Sequence, residues 1–395
     1  MYLHPWKPAQ KQSLWPWLLL LLTLAGVGWY GYSKRALIQT LIRQQIPLIQ
    51  GVPILQDIPA LKTLGNPPPT PSPTEISPVE HIAAGDSFFK QGKYNQAIAE
   101  YCRATEVDPR LSAAYARWAR ILTLRHKHTE ALQLAQRAVE INAESAENQA
   151  ILGMALDWGG RPVEAIATCL KATRLDSKLS LGYACLAEAY ADAGRPTEAY
   201  ETAKKAVELD AANPFVRRNL GYAYETLGRY EDAIREYQAA LDTDPYLAFI
   251  YLDLGRNYLV QGKLDEATQQ LERATQADPG DPQSFDQLGW THLGQGLYEL
   301  STSEFEKALE ADPDYAVAYV HLGMSLYMQN NYEEAIVHLE KGIALGVRSE
   351  EYYYLLGSAY AYLEQCDKAI PWFEKVLVTS PSSQGAKQGL ADCRR

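Results

Sequence analysis

The chain is poor in the residue patterns that build metal sites, disulfide frameworks and nucleic-acid surfaces. Its 395 residues include five scattered cysteines, none of which forms a C-x-x-C pair, so neither a disulfide framework nor a zinc site is predicted. The formal net charge is −11. Because contacts with phosphate groups require a basic face, we expect no nucleic-acid partner.

Patterns typical of enzymes are missing as well. The sequence contains no H-E-x-x-H, no G-x-S-x-G and no dinucleotide-binding fingerprint. His126 and His128, in RHKHTE, have no acidic or cysteine partner at ligand spacing, and we interpret this stretch as a solvated turn. Gly85 and the pair Gly92-Lys93 resemble a phosphate loop, but their gap is six residues rather than four. We therefore predict no catalytic residue, no metal ligand and no cofactor, and expect a non-enzymatic protein.

One uncharged run stands near the amino terminus. Residues 14–32, LWPWLLLLLTLAGVGWYGY, contain 19 residues without a charge, which is about the length that crosses a bilayer. Tryptophan and tyrosine lie at both of its ends, as at membrane interfaces. We predict a transmembrane helix over residues 14–33 after a tail of residues 1–13. The alternative is a cleaved signal peptide, which the length of the run and its trailing aromatics disfavour.

The charged residues on either side of this segment indicate its orientation in the membrane only weakly. Residues 1–77 sum to +4, the remainder sums to −15, and lysine and arginine flank both sides of the uncharged run. A short tail followed by one span and a long body is typical of a signal anchor. We therefore expect a single-pass membrane protein whose body lies outside the cytoplasm.

A proline-rich linker follows over residues 34–77. Residues 46–63, IPLIQGVPILQDIPALKT, carry a proline every six residues, and six further prolines stand between Pro67 and Pro78. Such spacing prevents a regular helix and favours an extended stalk. We interpret the linker as a spacer; a role in binding a partner is the alternative.

The rest of the chain is an internal repeat whose register never slips. A small residue recurs nine times at a constant interval, a second follows twelve residues later, and a third stands seven residues beyond that except at Val376. We place nine copies over residues 78–383, starting at residues 78, 112, 146, 180, 214, 248, 282, 316 and 350. The first small residue of each copy is Gly85, Ala119, Gly153, Ala187, Gly221, Gly255, Gly289, Gly323 or Gly357.

Each copy is predicted to form two helices. The first ends at a glycine such as Gly228, with Asn330 in the same place in the eighth copy, because these residues accept a left-handed backbone. The second copy departs from this pattern, with His126 at that place. The second helix ends at Asp-x-Asp-Pro or a variant of it. A single hairpin of this kind leaves an apolar face uncovered, so neighbouring copies must stack in a one-dimensional array.

The fifth copy carries the residues by which the chain resembles a known family, the tetratricopeptide repeat, whose period is 34. The resemblance implies an all-α solenoid of nine helical hairpins coiled into a right-handed superhelix. It also implies that residues 384–395 form a polar-backed capping helix. The matching residues are Leu220, Gly221, Tyr224, Ala233, Tyr237, Ala240 and Pro245.

In this family the free face of each first helix lines a concave groove that binds protein or peptide segments. Together with the predicted anchor, the resemblance therefore implies a membrane-anchored interaction scaffold; the alternative is a regulatory or substrate-presenting subunit of a cell-envelope enzyme complex. The sequence predicts neither the partner nor the oligomeric state. The predicted groove residues are Arg117, Arg120, Trp158, Arg218, Asn219, Tyr222, Arg256, Trp290, His321, Tyr327 and Tyr354, with Met324 and Tyr362 continuing the face.

Overall fold

A repeated pair of antiparallel helices builds residues 76–394, the part of the chain that the structure, a computed structural model, describes. This part contains nineteen α-helices and no strand. The first helices of the nine hairpins are α1 (Pro78–Phe89), α3 (Ser112–Leu124), α5 (Ala146–Trp158), α7 (Ser180–Asp192), α9 (Pro214–Thr226), α11 (Ala248–Val260), α13 (Pro282–Gly294), α15 (Ala316–Met328) and α17 (Glu350–Tyr362). The second helices are α2 (Tyr94–Val107), α4 (His128–Ile141), α6 (Pro162–Leu175), α8 (Pro196–Leu209), α10 (Tyr230–Thr243), α12 (Leu264–Ala277), α14 (Tyr298–Ala311), α16 (Tyr332–Ala344) and α18 (Cys366–Thr379), and α19 (Gln384–Cys393) follows them.

Each first helix stops at a residue with a left-handed backbone. Gly228 adopts φ +72°, and its amide donates to the carbonyl of Glu225 at 2.8 Å. In three hairpins the residue has a side chain: His126 (φ 56°), Asn330 (φ 62°) and Glu364 (φ 58°). Since this conformation strains most side chains, the hairpin geometry imposes it there.

An aspartate makes most of the turns between successive hairpins, and Asn142 takes its place after the second hairpin. The Oδ1 atom of Asp176 accepts a hydrogen bond from the Lys178 amide at 2.8 Å, which closes a short turn after α6. Asp210 accepts from Ala212 in the same way at 3.2 Å. Neither turn contains the closing proline of the predicted motif, so the side-chain acceptor forms the turn in these hairpins without it.

The chain returns on itself after four to five hairpins. The hydroxyl of Tyr94 donates to the carbonyl of Tyr246 at 2.8 Å, across 152 residues of sequence. Arg125 forms two parallel bonds with Asp278, from Nε to Oδ2 at 2.8 Å and from Nη2 to Oδ1 at 2.6 Å. Lys127 pairs with Asp312, the turn aspartate one hairpin further on. We call these three contacts the closing contacts.

Aromatic rings fill the space between the hairpins that the closing contacts bring together. Phe89 lies 6.4 Å from Phe215 between ring centroids, Phe215 lies 5.7 Å from Phe249, and Phe249 lies 5.8 Å from Trp158. These rings pack against one hydrophobic cluster with members from the first to the sixth hairpin. The chain's own side chains therefore occupy much of the concave face in its amino-terminal half.

Four of the five cysteines are paired, so the expectation of no disulfide framework is wrong. Cys169 of α6 is bonded to Cys185 of α7, with Cα atoms 5.8 Å apart, and Cys366 of α18 is bonded to Cys393 of α19, with Cα atoms 5.1 Å apart. Cys102 is free. The spacing of the cysteines in the sequence did not indicate these bonds, because helix packing, rather than a compact Cys-x-x-Cys motif, brings each pair within bonding distance.

None of the helices between residues 76 and 394 combines the length and the apolar composition that a bilayer crossing requires. The predicted transmembrane helix at residues 14–33 and the proline-rich linker lie outside the described residues. At the other end, α19 buries Ala386 and Leu390 against the ninth hairpin.

We expect the ion pair between Arg125 and Asp278 to support the closing contacts strongly. The Asp278 side chain is only 4% exposed, so Arg125→Met leaves a buried, unpaired carboxylate and should lower the free energy of unfolding by about 3–5 kcal/mol. Adding Asp278→Asn, which retains an oxygen acceptor for the Gly280 amide, should restore part of this loss. Chemical denaturation of the two single variants and the double variant measures the coupling.

The exposed pair of Arg137 and Glu140, with side chains 51% and 64% exposed, serves as the control for that cycle. Arg137→Met should cost less than about 1 kcal/mol, because solvent screens an exposed ion pair. Equal effects of Arg125→Met and Arg137→Met would contradict the role assigned to the closing contacts.

Candidate functional site

Four of the predicted groove residues, Trp158, Arg218, Tyr222 and Arg256, meet at one cavity of about 350 Å³ that is lined by residues of the second to seventh hairpins. We call it the central cavity. Its lining is His126, His128, Asp157, Trp158, Gly160, Glu188, Asp192, Arg218, Tyr222, Phe249, Leu252, Asp253, Arg256 and Gln283.

Arg218 lies at the bottom of the central cavity and is only 6% exposed. Its Nε donates to Oδ2 of Asp253 at 2.7 Å, and its Nη1 pairs with Glu188. The guanidinium also lies 5.0 Å from the ring centroid of Tyr222 and 5.6 Å from that of Trp158. Burial disfavours its charged form, but Asp253 and Glu188 raise its pKa well above the ordinary value. Arg218 is therefore a fixed internal cation.

Two neighbours of Arg218 also make internal contacts. Asn219 is buried, and its Nδ2 donates to the Ala184 carbonyl of α7 at 2.8 Å. Trp158 donates from Nε1 to Oε1 of Glu188 at 3.0 Å. In the structure Asn219 and Trp158 join neighbouring hairpins, and binding of a partner by either stays a prediction.

The mouth of the central cavity carries more exposed groups. Arg256 has a side chain that is 48% exposed, and it pairs with Glu225 at 2.9 Å and with Asp253 at 2.8 Å. The hydroxyl of Tyr222 donates to Asp192 at 2.5 Å. Burial and this bond to Asp192 raise the pKa of Tyr222, so its hydroxyl remains protonated at neutral pH.

Asp157 is a buried carboxyl group of the cavity lining whose side chain has no hydrogen-bond partner. Its side chain faces the central cavity, the residue is only 3% exposed, and neither carboxylate oxygen receives a hydrogen bond. Burial, together with the charges of Glu188 and Asp192, raises its pKa from the ordinary value of 3.8 to about 9. At neutral pH Asp157 is therefore a protonated carboxyl group inside the protein.

The two turn histidines form part of the cavity wall, which corrects the interpretation of a solvated turn. The ring of His126 stacks on Trp158 at 5.2 Å between centroids, and the ring of His128 meets His126 edge-on at 5.5 Å. Burial, with His128 as a second cause, lowers the pKa of His126 to about 4. Within residues 76–394 no three histidine, cysteine or carboxylate side chains stand close enough together to hold a metal ion.

Arg117 and Arg120 lie apart from the central cavity, in the second hairpin. Arg117 pairs with Asp86 at 2.6 Å. The Arg120 guanidinium lies over the Phe89 ring at 4.4 Å from its centroid and 5.7 Å from that of Phe215. Arg120 thus helps to attach the first two hairpins to the fifth, whereas Arg117 joins the second hairpin to the first.

Trp290 and His321 form a third location, between the seventh and eighth hairpins. Their ring centroids are 4.5 Å apart, and Nδ1 of His321 is hydrogen-bonded to Oδ1 of Asp286 at 2.7 Å. The carboxylate of Asp286 fixes the orientation of His321. Trp290 is 39% exposed, so one side of this pair remains accessible.

Tyr327 and Tyr354 line a second cavity of about 380 Å³, which lies between the last hairpins and α19 and which we call the C-terminal groove. Tyr354 is 36% exposed and Tyr362, beside them, is 62% exposed. The C-terminal groove is lined by Tyr327, Tyr354, Ser358, Ala361, Tyr362, Phe373, Gly385, Gln388, Gly389 and Asp392.

Sequence models of one repeat family match the chain in several places. A tetratricopeptide repeat model matches residues 190–245, 226–286 and 292–359, a second matches residues 350–382, and a model described as a TPR repeat matches residues 85–117. The chain belongs to the tetratricopeptide repeat family. Proteins of this family generally mediate protein–protein interactions and are typically non-enzymatic scaffolds. No curated protein matches the chain.

Solved structures share the tetratricopeptide repeat fold at low sequence identity. A chain of the APC/C hetero-tetramer Cut9-Hcn1 is 16% identical with a TM-score of 0.58, and the match covers 77% of this chain and 60% of that one. Pseudomonas aeruginosa pilF is 22% identical with a TM-score of 0.50, covering 55% and 98% of the two chains. A monomeric mutant of IFIT1 with Gppp-AAAA is 16% identical with a TM-score of 0.51, covering 80% and 81%.

The sequence analysis missed the carboxylates of the central cavity. Glu188, Tyr222 and Arg256 each lie one repeat period apart, so they occupy the same place in three successive tetratricopeptide repeats. The polar and charged residues at this place could have indicated the cavity. Asp157 carries no such signal, because its position within the helix is ordinary and only its packing leaves it without a partner.

We expect Asp157→Asn to stabilise the protein increasingly as the pH rises. The folded-state pKa of Asp157, about 9, lies above its ordinary value of 3.8, so the folded chain binds this proton more tightly and wild-type stability falls between these pH values. Asparagine does not titrate. The variant should therefore gain on the wild type by up to about 1.4 kcal/mol per pH unit, measured by denaturation from pH 5 to pH 9. A stability difference independent of pH would contradict the raised pKa.

Proposed function

We propose that the chain is an interaction scaffold that binds a protein segment along the C-terminal groove and at Trp290 of the seventh hairpin. The supporting observation is the contrast between the amino-terminal and carboxy-terminal halves of the helical repeat array. Aromatic rings of the amino-terminal half pack against one another, whereas Trp290, Tyr354 and Tyr362 stay 39%, 36% and 62% exposed on first helices. Exposed tryptophan and tyrosine are the side chains that contribute most to binding at interfaces.

The chemistry of the C-terminal groove favours a segment with apolar anchor residues and basic flanks. Tyr332 and Tyr362 stack with centroids 4.7 Å apart and planes 7° from parallel, which presents a flat aromatic surface. The residues after 77 carry a net charge of −15. A basic segment would be attracted to such a body, and its association rate would fall as salt increases.

Site-specific photo-crosslinking in cells tests this proposal. A crosslinking amino acid in place of Tyr362 should capture one dominant protein, and mapping the crosslink should identify the bound segment. With the purified segment, Trp290→Ala and Tyr362→Ala should each weaken binding by about tenfold or more, because each removes an aromatic anchor.

Val378 of α18, which is 81% exposed on a second helix, provides the matched control position. A crosslinker there should not capture the same protein, and Val378→Ala should leave the affinity unchanged. If both positions capture the same protein, or if the alanine variants bind the segment like the wild type, the C-terminal groove is not the binding surface.

We further propose that the uncharged run of residues 14–32 anchors the chain and that the repeats lie outside the cytoplasm. The length of the run supports the anchor. The disulfides Cys169–Cys185 and Cys366–Cys393 support the location, since disulfides persist in oxidising compartments. Protease added to intact cells should digest the repeats while the chain fractionates with membranes. Protection of the repeats until the cells are opened would contradict this orientation.

A further inference from the structure

The carboxylates of the central cavity outnumber its cations. Asp157, Glu188, Asp192 and Asp253 face two guanidinium groups, those of Arg218 and Arg256. Ion pairs join Arg218 to Glu188 and Asp253, and Arg256 to Asp253. Within the described residues 76–394, neither Asp157 nor Asp192 forms an ion pair.

A buried carboxyl group without any hydrogen bond is unusual, because burial of an unsatisfied polar group is costly. Asp157 sits next to an open space of about 350 Å³, which is in the size range of cavities that hold small ligands. Neither of its oxygens has a hydrogen-bond partner, although neither is exposed to solvent, so the hydrogen-bonding capacity of this carboxyl group is unused. A group that fills this space with N–H donors and a positive charge would satisfy Asp157 and correct the charge imbalance.

We propose that the central cavity binds a small organic cation that carries a primary ammonium or guanidinium group, with Asp157 as its principal acceptor. Arg218 shows that the cavity accommodates such a group, since its guanidinium lies between carboxylates and the rings of Trp158 and Tyr222. Asp192, at the mouth, is placed to attract a second positive charge. The cation comes either from a free amine or from a lysine or arginine side chain of a bound peptide.

The proposal includes a proton exchange that can be measured. The protonated carboxyl of Asp157 loses its proton when a cation binds, so one proton is released and the affinity rises with pH up to about 9. The gain is at most about tenfold per pH unit. The charged and titratable groups that face Asp157 are Glu188 and Asp192 of α7, Arg218 and Tyr222 of α9, Asp253 and Arg256 of α11, His126 and, on α4, His128.

Calorimetric titration of the purified full-length chain tests the proposal. The probes are agmatine, putrescine and an acetylated Gly-Gly-Arg-Gly-Gly amide, with tetramethylammonium as a cation that lacks N–H donors. At least one probe should bind, and its heat in two buffers of different ionisation enthalpy should report release of about one proton. Agmatine or putrescine binding identifies a free amine as sufficient, whereas binding of the peptide alone identifies a side chain of a partner.

Asp157→Asn is the decisive variant, since it retains the shape of the side chain and cannot lose a proton to become negatively charged when a cation binds. It should weaken binding by about 30-fold or more, whereas Asp242→Asn, the same change on the exposed side of α10, should leave binding unchanged. The proton-release measurement needs no variant and stands if Asp157→Asn alters the fold. The proposal is overturned if no probe binds, if tetramethylammonium binds as tightly as the best probe, or if Asp157→Asn binds like the wild type.

Discussion

The structure depends on the contact between the turn of the second hairpin and the turns that follow the sixth and seventh hairpins. Neighbour packing alone fixes a repeat array only locally, and its coil is free to open by small changes at each interface. Arg125 and Lys127 remove that freedom, because they bind Asp278 and Asp312 from hairpins that lie 153 and 185 residues away in sequence. The same two aspartate side chains also accept hydrogen bonds within the turns between hairpins. Each therefore stabilises both a local turn and a contact between distant hairpins.

This closure divides the inner face of the solenoid into two parts with different chemistry. In the amino-terminal half, Phe89 and Phe215 meet across the coil, and the face that could have bound an extended segment is largely occupied by the chain itself. Among the described residues the closing contacts end at Asp312, in the turn after the seventh hairpin, and Trp290 and Tyr362 remain exposed on first helices. A partner segment and a small cation would therefore bind at separate places, for separate physical reasons.

Sequence reasoning identified the fold because the repeat period is a local property that every hairpin shows. It predicted the left-handed residue at Asn330 and the close crossing at Gly221, where a Cβ atom would lie 2.6 Å from the Tyr237 ring. His126, which departs from the glycine pattern, adopts the same left-handed backbone. It did not show that Arg218 would be buried, since the groove prediction assumed an open coil. Arg218 is buried by residues of the neighbouring third, fourth and sixth hairpins, and the angle between these hairpins, which the repeat pattern does not encode, decides that burial.

The cavity residues are not what the repeat itself requires. At the place that Asp157 occupies in the third hairpin, the fourth hairpin has Ala191, which is also buried. At the place of Glu188 the eighth hairpin has Met324, again buried. Since apolar side chains fill these places within the same chain, buried carboxylates there cost stability without being needed for the fold. Such a cost is expected where a site must receive a charged group from outside the chain.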